Sequence, residues 1–358
     1  MSKMIKGINM GKIIVPTGYM GSGSSAITDL LTELEGYDAD TGTFEYVFLH
    51  CPNGLFDLED KLLKGNNALR SDEALHSFKK TMQQLFDKKY WWVGHYNQKL
   101  TPEFLNYTEE YVESLIQYKP EYYWYFQENA DIKMVIKLII NKILSIISLG
   151  KLTLKKPLVY TDLMLSYVSP EEFYERTKLY LRKIWMDLGI NTRNVILDQL
   201  LLPFNLFRID NYFDEEELKV FVIDRDPRDV FFLNKYVWSK QKNPIPYPTN
   251  VEEFCKCYKR LRQMERKSTY PGVMRIHFED LIYHYEETVK KVMEHLGEPP
   301  EKHIRKKSCF IPENSIENTQ IFLTNELFIP ERRKIEEELR EYLYEFPYER
   351  KANFKKAF

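Results

Sequence analysis

An α/β fold, with a central parallel sheet in three α/β/α layers, is predicted by three observations. Short apolar runs alternate with helical patterns along the chain, which implies parallel strands with helices over both faces. A glycine-serine loop joins the first apolar run to the first helix. Two later apolar runs end in clusters of charged residues, and in sheets of this kind ligands bind at the carboxyl ends of the strands.

The first strand is expected at Ile13 to Thr17, followed by the loop Gly18-Tyr19-Met20-Gly21-Ser22-Gly23-Ser24-Ser25 and a helix from Ala26 to Leu34. Glycine, four residues, glycine, lysine and serine or threonine is the frame of a nucleotide-triphosphatase phosphate loop, and here Ser24 stands where the lysine belongs. What remains is an anion cradle: glycines allow close backbone approach, and the first amides of the helix point outward with the positive end of its dipole behind them. The absent lysine ordinarily reaches the β- and γ-phosphates, so the loop suits a phosphate-like group other than the γ-phosphate of ATP.

Thr43 to Leu49 reads as a second strand, Asn194 to Leu197 as a third, Leu218 to Ile223 as a fourth and Val273 to Phe278 as a fifth. Helical patterns run over Pro170 to Leu188, Val251 to Lys267 and Glu286 to Leu296, and Pro330 to Leu343 carries the paired charges of a solvated C-terminal helix. At 358 residues with 44% hydrophobic content, the chain can bury a full core. One domain spanning residues 1–358, with a mainly helical insertion at about 60–190, is the simplest organisation.

A formal charge of −2 gives no global basic field and argues against a nucleic-acid partner. Cys51, Cys255, Cys257 and Cys309 form no CxxC, and Cys255 and Cys257 point to different faces of a helix, so reduced thiols, no metal site and a cytoplasmic setting are expected. Met1 to Met10 lacks the apolar core of a signal peptide. Met134 to Leu149 is an apolar helix with one polar stripe, Lys137, Asn141, Ser145 and Ser148, too short and charged to span a bilayer. It reads either as a buried helix of the insertion or as an interfacial helix or lid in peripheral contact with a membrane or a hydrophobic acceptor, and the preceding Tyr122-Tyr123-Trp124-Tyr125-Phe126 suits both.

The fourth strand leads into Asp224-Arg225-Asp226-Pro227-Arg228-Asp229-Val230-Phe231, and the fifth into Glu279-Asp280-Leu281 with Leu296-Gly297 further on. With the glycine-serine loop, these segments stand in the order and spacing of sulfotransferases that use 3′-phosphoadenosine 5′-phosphosulfate (PAPS), and the chain resembles that family over about residues 12 to 325. Lys307 to Gln320 resembles the late loop with which the family closes over the nucleotide. The resemblance implies PAPS as co-substrate, no metal, and transfer of a sulfuryl group to a hydroxyl or amine of a glycan, lipid or sterol-like acceptor. It assigns the 5′-phosphosulfate to Gly21, Ser22, Gly23, Ser24 and Ser25, the 3′-phosphate to Arg225, and places Ser315 and Asn318 in the closing loop. Two positions depart from the family: Gly21 stands where many members carry a lysine or arginine, and Leu233 where many carry a phosphate-binding serine, with Asn234 beside it as a substitute donor.

An acceptor hydroxyl needs a base. Glu45, in Phe44-Glu45-Tyr46, matches the catalytic glutamate of the glycan-type branch, although Phe44 replaces its usual lysine. His95, in Trp92-Val93-Gly94-His95-Tyr96, matches the histidine of the cytosolic branch, and His50 is a third candidate. A P-loop kinase and a catalytically inactive nucleotide-binding protein are the alternatives outside this class.

Overall fold

β1 (Ile13–Gly18) forms where branched apolar residues run without interruption, the pattern of a strand buried on both faces. The computed structural model describes residues 11–38, 44–87, 89–90, 93–120, 123–125, 132–152, 160–213, 218–240 and 246–351. The chain divides into two compact units, one of residues 1–50 with 185–358 and one of residues 51–184.

The first unit is built on a five-stranded sheet in the order β2-β3-β1-β4-β5, with β2 at Tyr37–Asp38, β3 at Asn194–Ile196, β4 at Leu218–Asp224 and β5 at Val273–His277. Every neighbouring pair is parallel. The register sets Pro16 beside Phe221 and Gly18 beside Ile223, so one face carries Ile14, Phe221, Ile223 and Ile276. Onto that face pack α1 (Ser25–Thr32) and the helix Tyr285–Leu296, through Ile27, Leu30, Leu31, Val289, Val292 and Leu296. Residues of the opposite face, Ile13, Val15, Val220 and Val222, are fully buried as well. The sheet is therefore covered on both sides, as the alternation of strand and helix predicts.

The expected second strand is a correction. Thr43 lies outside the described residues, and Phe44 to Leu49 form no strand. The sheet position belongs to Tyr37–Asp38, and the later segment is a buried turn: Tyr46 N donates to Asp198 O at 2.9 Å and His50 N to Val47 O at 3.0 Å. A short buried apolar run satisfies the pattern of a strand and of a packed turn equally well.

The second unit holds Leu55–Leu63, Ala68–Asp87, Glu103–Leu115, Ile132–Ile147 and most of Pro170–Asp187 as helices. Its core stacks Tyr111 on Tyr180 at 4.6 Å, with both hydroxyls satisfied by Thr177 and Thr108. Tyr123–Tyr125 pairs antiparallel with Tyr160–Asp162, while Tyr122 and Phe126 lie outside the described residues. Between Val135 and Ile147 the apolar side chains of this helix are exposed, the reverse of the buried-helix reading of this stretch. Among the described residues no helix is long and apolar enough to cross a membrane.

Candidate functional site

Gly21 and Gly23 adopt φ of 78° and 81°, left-handed conformations that a glycine reaches without strain, and they turn the chain from β1 into α1. A Cβ on Gly23 would lie 3.0 Å from the ring of Phe278, so the loop is pressed against the end of β5. Ser22 is buried, and its hydroxyl has no hydrogen-bond partner. Ser24 does not cap the helix with its side chain; its Oγ instead accepts from Gln199 Nε2 at 3.0 Å, which leaves the hydroxyl proton available. Ser25 opens the helix, and the amides of Ala26, Ile27 and Thr28 that follow it donate to Gly23 O and Ser24 O at 3.0 to 3.3 Å.

Gln199 binds the loop to the neighbouring strand end. It adopts φ of 58° just past β3, its Oε1 lies 3.3 Å from Thr17 Oγ1, and its carbonyl lies 2.8 Å from His50 Nε2. A carbonyl can only accept, so His50 Nε2 carries a proton, and burial lowers the imidazole's pKa and keeps it neutral. His50 is thereby a donor locked to the backbone.

Asp198, one residue earlier, was missed in the sequence. Burial first, then the neighbouring Glu45 carboxylate, push its pKa up to about 7, and its Oδ1 has no hydrogen-bond partner. Glu45 is partly exposed and lies in the segment whose backbone bonds Asp198. The signal was present: Asp198 directly follows a run read as a strand, the same placement that singled out Arg225. His95 belongs to the other unit, where it is exposed and adopts φ of 60° ahead of a short turn at Tyr96–Gln98.

Arg225 is buried, 3% exposed, and does not face an open cleft as its place at a strand end suggested. Its guanidinium donates to Gly21 O at 3.2 Å and to Asn318 O, and lies 4.7 Å over the ring of Phe278. One side chain thus ties the phosphate loop, the end of β5 and the late loop together. Desolvation lowers its pKa, opposed by Asp229, Glu279 and Asp226. Asn318 contributes a carbonyl here, an acceptor, and Ser315 closes the short helix Pro312–Ser315 just before it. Asn234 is wholly buried, and its Nδ2 donates to Tyr247 O and Pro248 O at 3.0 and 3.3 Å. Those bonds use both amide hydrogens, so Asn234 holds a neighbouring loop rather than offering a donor to a phosphate. Arg228 pairs with Asp226 at 2.7 Å and Glu336 at 3.0 Å and braces the C-terminal segment.

Two carboxylates anchor the late loop. Asp229 accepts from Gln320 N and Ile321 N at 2.8 and 2.7 Å. Glu33, fully buried just past α1, accepts from Lys307 N, Cys309 N and Phe310 N at 2.9 to 3.0 Å and contacts His303 Nε2 at 2.7 Å.

Two sulfotransferase domains resemble this chain. One, from the curacin biosynthetic pathway, is 12% identical over 82% of this chain and 76% of its own, with a TM-score of 0.35. The other, from the Synechococcus PCC 7002 olefin synthase, is 12% identical over 95% of this chain and 96% of its own, with a TM-score of 0.39. No protein-family model and no curated protein matches the chain. Likeness at this level carries no functional argument, so the reading of the site rests on its own geometry.

Beyond Arg225, two arginines reach the phosphate loop. Arg262 lies 3.9 Å over the Tyr19 ring and pairs with Asp224, and Arg275 donates to Tyr19 Oη at 3.2 Å and pairs with Glu265. Burial, together with Asp224 and the acceptor Glu265, raises the Tyr19 pKa, so the phenol keeps its proton. Arg262, Arg275, Asp224 and Glu265 line a cavity of about 510 Å³ with Lys267, Ser268 and Tyr342. Its lining carries charges of both signs beside the apolar Leu206 and Val273.

Proposed function

We propose that the first unit transfers a sulfuryl group from PAPS to an acceptor hydroxyl. The observation that carries this is the joining, through Arg225, of a phosphate loop without lysine, the end of β5 and the late loop. The loop fits the 5′-phosphosulfate: two left-handed glycines open the backbone, a buried hydroxyl on Ser22 lacks a partner, and the Ser24 and Ser25 hydroxyls stand at the helix N-terminus. The fit to the 3′-phosphate is different from that expected, because Arg225 already serves two carbonyls. It holds the loop in shape from behind, and Arg262 and Arg275 are the cations that stand beside the loop in place of its missing lysine.

When bound, PAPS supplies an activated sulfuryl group that passes in line to an acceptor oxygen, a reaction dominated by positioning and charge neutralisation. Glu45 takes the acceptor proton. Burial, and after it the neighbouring Glu45, raise the Asp198 pKa to about 7, so this acid holds its proton better than an ordinary aspartate. The cavity lined by Arg262, Glu265, Ser268 and Tyr342 supports a hydroxyl-rich acceptor such as a glycan. The test is incubation of the protein with PAPS carrying labelled sulfate and an extract of its source cells. Label in a product that requires the protein and is lost in Glu45→Gln supports the reading; PAPS binding with no labelled product across an acceptor panel replaces it with the inactive nucleotide-binding alternative.

A further inference from the structure

We infer that the helix Ile132–Ile147 of the second unit lies in the interface of an anionic lipid membrane. The observation is that this helix is inside out. Its half-covered positions are the polar ones, Lys137, Asn141, Ser145 and then Ser148 just beyond its end. Apart from Lys142, the exposed positions described are apolar: Val135, Ile136, Leu138, Ile139, Ile140, Ile143, Leu144, Ile146 and Ile147 are each 36 to 76% exposed, and Leu149 is 89% exposed. A helix stabilised only by burial within a soluble protein shows the opposite arrangement. A contiguous apolar surface of this size marks a contact site.

Two features choose lipid over a protein partner. At 100° per residue the exposed apolar positions cover well over half the circumference, whereas a helix–helix seam needs only a narrow stripe. A continuous apolar medium suits the broad arc. The charges along it are all positive: Lys133, Lys137 and the exposed Lys142 within the helix, and the exposed Lys151 beyond it, with no acidic residue between Ile132 and Leu152. Lysines beside a buried apolar face are attracted to anionic headgroups. The helix of sixteen residues is about 24 Å long, shorter than the hydrocarbon core, so it lies in the surface and does not cross.

Flotation of the full chain with vesicles tests this. The intact protein is expected to float with mixed phosphatidylcholine–phosphatidylglycerol vesicles, and to float less with phosphatidylcholine alone or at high salt. I139D combined with I143D changes two exposed side chains, so the fold is kept, and vesicle binding should fall about tenfold or more. K142E with K151E should weaken binding to the phosphatidylglycerol vesicles selectively. Equal flotation of the intact protein and I139D/I143D, or no flotation at all, overturns the inference. So does a concentration-dependent dimer in the absence of vesicles that I139D/I143D abolishes, because the apolar arc would then be covered by a second copy. PAPS-dependent transfer is measured separately, and neither outcome decides the other.

Discussion

Burial and the neighbouring Glu45 raise the Asp198 carboxyl to about 7, and this predicts how substitutions at the two positions differ. Glu45→Gln keeps volume and reach but removes proton affinity, so turnover should fall by about a hundred- to ten-thousandfold while nucleotide affinity measured by calorimetry is nearly unchanged. His95→Ala should be mild; if His95→Ala is the inactive variant and Glu45→Gln retains turnover, the base is histidine. Asp198→Asn mimics the protonated acid and should leave activity near pH 6 intact while changing the pH–rate profile above about 7, the value to which burial raises this carboxyl. Arg225→Ala should change stability as well as binding, because it leaves Asp229 and Glu279 buried without the arginine beside them, whereas Asp226 keeps Arg228. A loss of about 3 to 5 kcal/mol in denaturant unfolding is expected, and an unchanged midpoint would contradict the bracing role. The sequence made the motif arginine legible through its place after a strand. It could not show that two carbonyls, separated by hundreds of residues, would claim the guanidinium.

At the scale of elements, the glycine-serine loop is held in place because α1 is fastened at both ends. Its N-terminus joins Gln199 through Ser24, and Glu33 beyond its C-terminus gathers three amides of the late loop. Glu33→Ala should therefore destabilise the first unit by about 3 to 5 kcal/mol and weaken binding of 3′-phosphoadenosine 5′-phosphate, whereas Glu33→Gln keeps an acceptor and should cost less. Unfolding midpoints and calorimetric titration of the two variants measure both effects. Four of the five strands were legible, because β1, β3, β4 and β5 are apolar runs ending in turn or charged residues. The second was not, since Tyr37–Asp38 is two residues long and polar at one end, and the apolar run after it packs as a turn. Ile132–Ile147 shows the same limit from another side: periodicity gave the polar stripe, but not which side of the helix would be covered.

Two buried acids of the first unit, Glu279 and Asp198, have raised pKa values. Burial and the neighbouring Asp226 raise Glu279 from 4.5 to about 8, and its Oε2 has no hydrogen-bond partner. Asp198 shifts the same way. An acid whose native pKa is raised binds more protons folded than unfolded between the two values, so stability falls as pH rises across that window. The melting temperature should decline from about pH 5 to pH 8, and Glu279→Gln should flatten the slope; a melting temperature that rises over this range would contradict the protonated state.

The central claim is that a phosphate loop without its lysine selects a nucleotide of sulfuryl transfer over one of phosphoryl transfer. Calorimetric titration of one preparation with 3′-phosphoadenosine 5′-phosphate and with magnesium-ATP tests it most directly. Binding of the 3′-phosphorylated nucleotide about tenfold tighter or more is the expected result, corresponding to about 1.4 kcal/mol. Tighter binding of magnesium-ATP, or no heat with 3′-phosphoadenosine 5′-phosphate, would contradict it.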